Sequence, residues 1–378
     1  MKNTLSSKVL HWARARAGFS EEELAASMGV AASQLIDWEE TGEITFDQLE
    51  KLAEKTYTPL GFLFLTDPPS EVLPIADFRR SQGPGGPPSP DLLDVLHSAQ
   101  RRQEWYRNYL VENGAEPLGF VGSASIKDSV SDTAKKIREV LPIGSKLAEN
   151  APTLTKALQL TIEAIEDVGI LVLRAGFAGG YTRRKLSVDE FRGFALSDPY
   201  APLVFINGAD APAAQIFTLA HEVAHIWLGE SGVFNLDKTY ANEIAVEDYC
   251  NRVAAEVLVP AQEFVKLWNP SAYDSEEIER LATRFAVSGL VIARRARDSG
   301  LLSQAQYNNY YAKVMIRKKG GRGDWYLNTQ YQNSRRFSVA LIRAAKEGKT
   351  LYHDAMQLLG IKKDATFRKY ANSLQLSF

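Results

Sequence analysis

The 378-residue sequence has one cysteine, only five histidines and no long uninterrupted apolar run. The lone Cys250 excludes an intramolecular disulfide. No stretch approaches the ~20 apolar residues that cross a bilayer, so no membrane partner is expected. The opening Met1-Lys-Asn-Thr-Leu-Ser-Ser-Lys8 lacks the apolar segment of a secretory signal, which with the cysteine usage points to a reducing cytoplasm. Net charge is also scarce, at −2, but it is unevenly spread. Residues 1–60 hold 6 Lys/Arg against 10 Asp/Glu, whereas residues 313–378 hold 14 against 4. At 45% hydrophobic and 24% charged, the chain is an ordinary globular sequence long enough for several domains.

Two of the five histidines stand in His221-Glu222-Val-Ala-His225, inside the apolar run Ile216–Leu228. Histidines four apart on a helix share a face and can reach one metal ion. Glu222, beside the first of them, is placed to take a proton from water at that metal. This is the layout of a zinc (Zn2+) hydrolase. His11, His97 and His353 lie away from the motif and read as structural or exposed.

A catalytic zinc site needs a third protein ligand. The next helical pattern, Glu243 to Pro260, offers Glu243, Glu247, Asp248, Cys250 and Glu256. Helical phase puts Glu247, Asn251 and Leu258 on one face and Glu256 roughly opposite, so one of the two glutamates excludes the other. Cys250 reads as a small buried residue rather than a ligand.

The run Phe217-Thr-Leu-Ala-His-Glu-Val-Ala-His-Ile226, then Glu247-x-x-Cys250-Asn251-x-x-Ala254-Ala255-Glu256 and Leu258-Val-Pro260, resembles the ImmA/IrrE metallopeptidases. The strand-rich Phe191–Leu196 and Pro202–Asn207 also look like that family. The resemblance implies Glu247 as the third metal ligand. Asn251, one turn on, could orient a ligand. No oxyanion stabiliser is fixed by spacing.

Ser20–Met28, a break at Gly29, then Val30–Glu40 before Thr41-Gly42 resembles the Xre/lambda-repressor helix-turn-helix family. Its second helix would enter the major groove, with Ser33 and Gln34 as candidate DNA-binding residues. That helix has no basic residue, and Asp37 with the acidic balance weighs against DNA. Ser275–Gly300 repeats the pattern with Arg294, Arg295 and Arg297, but helices that complete the peptidase domain are favoured over DNA contact there.

Ser81–Pro90 has no core-forming residue and reads as linker. Helical patterns follow near 91–112, 129–141 and 153–168. Ile170–Leu173, Phe191–Leu196 and Leu203–Ile206 read as strands of a small sheet. Gly176–Gly180 with Arg183-Arg184 reads as a solvated loop. Beyond Gly320–Gly323, Trp325-Tyr326, Phe337–Ala345 and Tyr352–Leu359 suggest a basic helical module.

The expected fold is therefore α+β and mostly helical. It comprises a helix-turn-helix bundle (1–66), a linker (67–90), a zincin-like metallopeptidase domain with a small sheet (91–273), helix-turn-helix-like helices (274–312) and a basic C-terminal module (313–378). The expected function is a regulatory zinc endopeptidase acting on a specific protein such as a repressor or toxin, with DNA a candidate partner of the helix-turn-helix modules. Helix-turn-helix proteins fused to this domain also resemble antitoxins that cover a PIN-like nuclease and repress its operon, with no obligatory proteolysis. Oligomeric state is not legible.

Overall fold

The computed structural model describes residues 2–70, 76–77, 88–144, 150–180, 184–234, 243–317 and 332–376. The architecture is α+β and mostly helical, and the chain divides into two compact units. One holds residues 1–74 and 84–96; the other holds 75–83 and 97–378. Arg183, Gly320–Gly323 and Trp325-Tyr326 lie outside the described residues, as does most of the expected linker.

In the first unit β1 (Lys2–Thr4) pairs antiparallel with β2 (Glu43–Thr45), beside α1 (Ser7–Arg16), α2 (Glu21–Met28), α3 (Ala32–Thr41) and α4 (Phe46–Thr56). Ser20 and Glu23 form a reciprocal capping box that starts α2, and Thr45 with Gln48 does the same for α4. Gly42 ends α3 at φ 70°; a Cβ there would stand 2.1 Å from the Leu5 carbonyl oxygen, so only glycine fits. Leu10, Leu24, Leu35, Trp38 and Leu49 form the core. Glu39, adjacent to Trp38, is buried and takes Arg14 Nε and Nη2 at 2.7 and 2.9 Å, which ties α3 to α1.

The second unit is built on a five-stranded mixed sheet in the order β3-β7-β5-β6-β4. These strands are β3 (Ala76–Asp77), β4 (Leu171–Ala175), β5 (Gly193–Leu196), β6 (Leu203–Asn207) and β7 (Gly232–Phe234). The three expected strands are β4, β5 and β6. They are extended at the edge by β7 and by β3, which arises from the stretch read as linker. The helices of this unit are α5 (Pro90–Glu112) from residue 97 onward, α6 (Val130–Val140), α7 (Leu154–Asp167), α8 (Pro212–Leu228), α9 (Glu243–Leu258), α10 (Ala261–Leu267), α11 (Asp274–Phe285), α12 (Gly289–Asp298) and α13 (Gln304–Arg317). A separate bundle of α14 (Arg335–Lys346), α15 (Tyr352–Leu358) and α16 (Asp364–Ser373) follows.

One apolar core joins β4, β5 and β6 to the helices from α6 to α12. Ile216, Val223 and Trp227 of α8 share it with Ile206 of β6, Val253 of α9, Leu281 and Phe285 of α11, and Ile292 of α12. The basic helix-turn-helix-like pair α11–α12 is thus packed into the same core as the histidine helix. Arg295 is turned to structural use, meeting Glu256 of α9 at 3.0 Å.

The C-terminal bundle is anchored by its first helix. Glu166, near the end of α7, accepts the Arg335 backbone N–H, and Arg336 Nη1 donates to the Glu166 carbonyl oxygen at 3.0 Å. Phe337 packs edge-on against Trp105 of α5 at 5.7 Å.

Candidate metal centre

Pro212 at the first helical position and Gly229 after the last bracket α8. Its residues from Thr218 to Trp227 are buried, so the helix lies beneath β5 and β6 rather than on the surface. His221 and His225 project from one face, with their Nε2 atoms 3.0 Å apart. Glu247 comes from α9, the helix packed most extensively on α8. Its Oε2 stands 3.1 Å from His221 Nε2 and its Oε1 stands 3.0 Å from His225 Nε2. All three side chains are buried, and among the described residues they are the one group of metal-ligating type brought together.

Three lone-pair donors converging in a dry interior fit one small cation. A tetrahedral zinc with bonds of about 2.1 Å would hold its ligand atoms about 3.4 Å apart, close to what is found. Two of the three charge states agree with such a role. Burial lowers the His221 pKa and favours neutral imidazole. Burial alone would raise Glu247, yet the two imidazoles, His221 foremost, hold it down to about 2. Burial alone would lower His225, but Cys250 and Glu247 beside it raise its pKa well above the imidazole range, so a bound cation would have to displace that proton.

Glu222 is fully buried beside the cluster, and neither carboxylate oxygen has a hydrogen-bond partner among the described residues. Burial, reinforced by the Glu247 charge, raises its pKa well above the carboxylate range. A carboxyl group with no other hydrogen bond among the described residues, set next to a site whose cation would favour its ionised form, is suited to general acid–base work. Asn251 lies one turn beyond Glu247 on α9, with its buried Oδ1 accepting no hydrogen bond among the described residues, and Cys250 is fully buried beside His225, where burial raises its thiol pKa.

The remaining third-ligand candidates go elsewhere. Glu256 faces away, bound to Arg295 and accepting the Ala261 N–H at 3.1 Å. Asp248 is exposed and faces Arg252 at 3.7 Å. Glu243 is the first residue of α9. Ser33 and Gln34 are exposed on α3, in the other unit.

Sequence reading missed Gly193. A Cβ there would lie 2.6 Å from Thr218 Cγ2, 2.8 Å from the Phe205 carbonyl oxygen and 3.0 Å from Glu222 Oε1. This glycine lets β5 close onto the histidine helix and sets the wall behind Glu222. Its signal was present, because a glycine inside the Phe191–Leu196 strand pattern marks close backbone approach.

A His-x-x-x-His helix under a small mixed sheet, completed by a glutamate from the next helix, is a metallopeptidase arrangement. Residues 165–297 match the model of the IrrE N-terminal-like domain, the M78 peptidases. The matched third of the chain thus resembles the ImmA/IrrE metallopeptidases, a family for which a metal cofactor is implied. It is 34% identical over 105 residues to the radiation response metalloprotease IrrE of Deinococcus deserti, covering 26% of this chain and 32% of that protein. It is 32% identical over 96 residues to the same-named protein of Deinococcus radiodurans, covering 24% and 29%. The similarity thus spans about a third of the length of these relatives. Residues 333–373 match a domain of unknown function (DUF8813). No helix among the described residues is long and apolar enough to cross a membrane.

Proposed function

We propose that the chain is a zinc-dependent endopeptidase with a narrow protein substrate and a regulatory role in the cytoplasm. The observation that carries this reading is the buried convergence of His221, His225 and Glu247, with Glu222 beside them accepting no hydrogen bond among the described residues. In this reading the three residues hold zinc, and Asn251 orients His221. Zinc, when bound, supplies Lewis-acid polarisation of the scissile carbonyl. Glu222 takes a proton from the water that attacks this carbonyl and delivers it to the departing amine. The helix-turn-helix unit at the N-terminus precedes the peptidase domain in the chain and selects the protein partner.

The test is an N-terminal profiling experiment. Zinc-loaded chain is incubated with a native protein extract, and new N-termini are counted by mass spectrometry. A small, reproducible set should appear, vanish with chelator, and be missing for Glu222→Gln, which keeps its zinc. No wild-type-specific termini would sink the peptidase reading. A Glu222→Gln variant with full activity in cells would assign the role to binding instead.

A further inference from the structure

We propose that the C-terminal three-helix module binds duplex DNA, with α16 as the element that enters the major groove. This stands apart from the peptidase reading. The module's core is Phe337 and Leu341 from α14, Ala355 from α15, and Phe367 and Ala371 from α16. Tyr352 meets Phe367 edge-on at 4.8 Å, and Ser338 Oγ is 2.9 Å from the Tyr370 hydroxyl. α15, a short turn through Gly360, and α16 make a helix-turn-helix with the basic Lys362-Lys363 in the turn.

With Phe367 and Ala371 inward, helical phase turns Ala365, Thr366, Lys369, Asn372 and Ser373 outward, and all five are exposed. Lys369 lies at the centre of that face. A small residue permits close approach, and lysine, asparagine, threonine and serine are among the hydrogen-bonding side chains that read base edges. The face has no acid. Asp364, at the first position of α16, is committed to the Tyr352 hydroxyl and to Arg368 Nε at 2.9 Å.

Charge accounting singles out this surface. Residues 332–376 carry nine Lys/Arg against three Asp/Glu. Arg336 is used in docking to α7, and Lys349 pairs with Glu347 at 2.7 Å. Lys363 and Lys369 are exposed at the turn and on α16. The other two helix-turn-helix pairs differ. α3 presents Asp37 and Glu40 beside Ser33 and Gln34. On α12, Arg295 is held by Glu256, while Arg297 binds Asp298 and lies over the Tyr307 ring at 4.8 Å.

Duplex DNA is favoured over a protein because the outward face of α16 has no aromatic or large apolar anchor of the kind that carries protein interfaces. It is favoured over duplex RNA because the A-form major groove is too narrow for a helix.

The experiment is fluorescence anisotropy of the full chain with a labelled mixed-sequence DNA duplex over a salt series. Affinity should fall steeply with salt. Lys363→Glu with Lys369→Glu should weaken binding at least about tenfold and make the log–log salt slope shallower by about two. Lys363→Gln with Lys369→Gln should act in the same direction, with circular dichroism confirming the fold of both pairs. Lys135→Glu with Lys136→Glu, an equal charge change on α6, should leave affinity within about twofold. The proposal is overturned if the chain does not bind duplex at low salt, or if both charge reversals act equally. It is also overturned if polyglutamate displaces the duplex as well as unlabelled DNA does, or if an RNA duplex of the same sequence binds as tightly.

Discussion

The Glu166 carboxylate receives the backbone N–H of Arg335 on both oxygens, at 3.1 and 3.2 Å, and so joins the peptidase domain to the first turn of the C-terminal module. Burial pushes its pKa up to about 7, against the downward pull of Ser334, Arg335 and Arg336. Below pH 4.5 the group is protonated in folded and unfolded chains alike, and the contribution is fully present. Between about 4.5 and 7 the folded chain keeps a proton that the unfolded chain releases, so stability is lost as pH rises through 7. The full effect is about 3 kcal/mol. Urea midpoints of wild type and Glu166→Gln should therefore diverge with pH, wild type losing ground from pH 5 to 8. A difference that stays constant with pH would refute the assignment.

Gly193 sets the approach of β5 to α8, so Gly193→Ala should cost about 2 kcal/mol or more. Thr218→Ser removes the Cγ2 atom that the new methyl meets first, and should restore part of the loss in the double variant. The Phe205 carbonyl remains in the way, so rescue should stay incomplete. Thermal melting together with zinc content per folded molecule reads both effects. A fully stable Gly193→Ala would mean that the sheet and helix are not held as close as described.

In the first unit Glu39 is the buried partner of Arg14, so Glu39→Ala removes two charge-assisted hydrogen bonds and leaves the guanidinium with Glu21 at 3.1 Å and the Phe19 carbonyl at 3.3 Å. A loss of about 2 kcal/mol is expected in that unit. Glu40→Ala, one residue on and exposed, should be neutral within about 0.5 kcal/mol. Chemical denaturation of the two variants separates a structural glutamate from a solvated one.

What was legible in the sequence follows its periodicity. α5 to α9 carry clear apolar spacing, and the histidine pair fixed its own geometry through the helix repeat. β3 and β7 were invisible because two or three residues show no alternation, and their pairing is decided by the sheet they join. α16 was missed because only Phe367 and Ala371 turn inward, leaving a run that reads as solvated charge. The α11–α12 pattern reads as helices completing the peptidase domain in preference to a DNA contact, and the fold packs them into that core, with Arg295 committed to an ion pair that no local pattern reveals. Helical phase separated Glu247 from Glu256, but spacing alone left open which one faced the histidines.

That pair gives the sharpest test of the site. Glu247 meets His221 and His225, whereas Glu256 meets Arg295 and the Ala261 N–H. Glu247→Ala should abolish stoichiometric zinc, because two imidazoles alone make an incomplete zinc site. It should also remove the rise in melting temperature that added zinc gives wild type. Asn251→Ala should weaken zinc about 10- to 100-fold without abolishing it, as expected for a residue that orients a ligand. Glu256→Ala should behave in the opposite way. It strands a largely buried Arg295, costing about 3 kcal/mol, while the folded fraction keeps a full complement of zinc. Metal analysis and melting curves on the three variants give two independent readouts. Zinc retained in Glu247→Ala, or lost from folded Glu256→Ala, would reverse the assignment of the two glutamates.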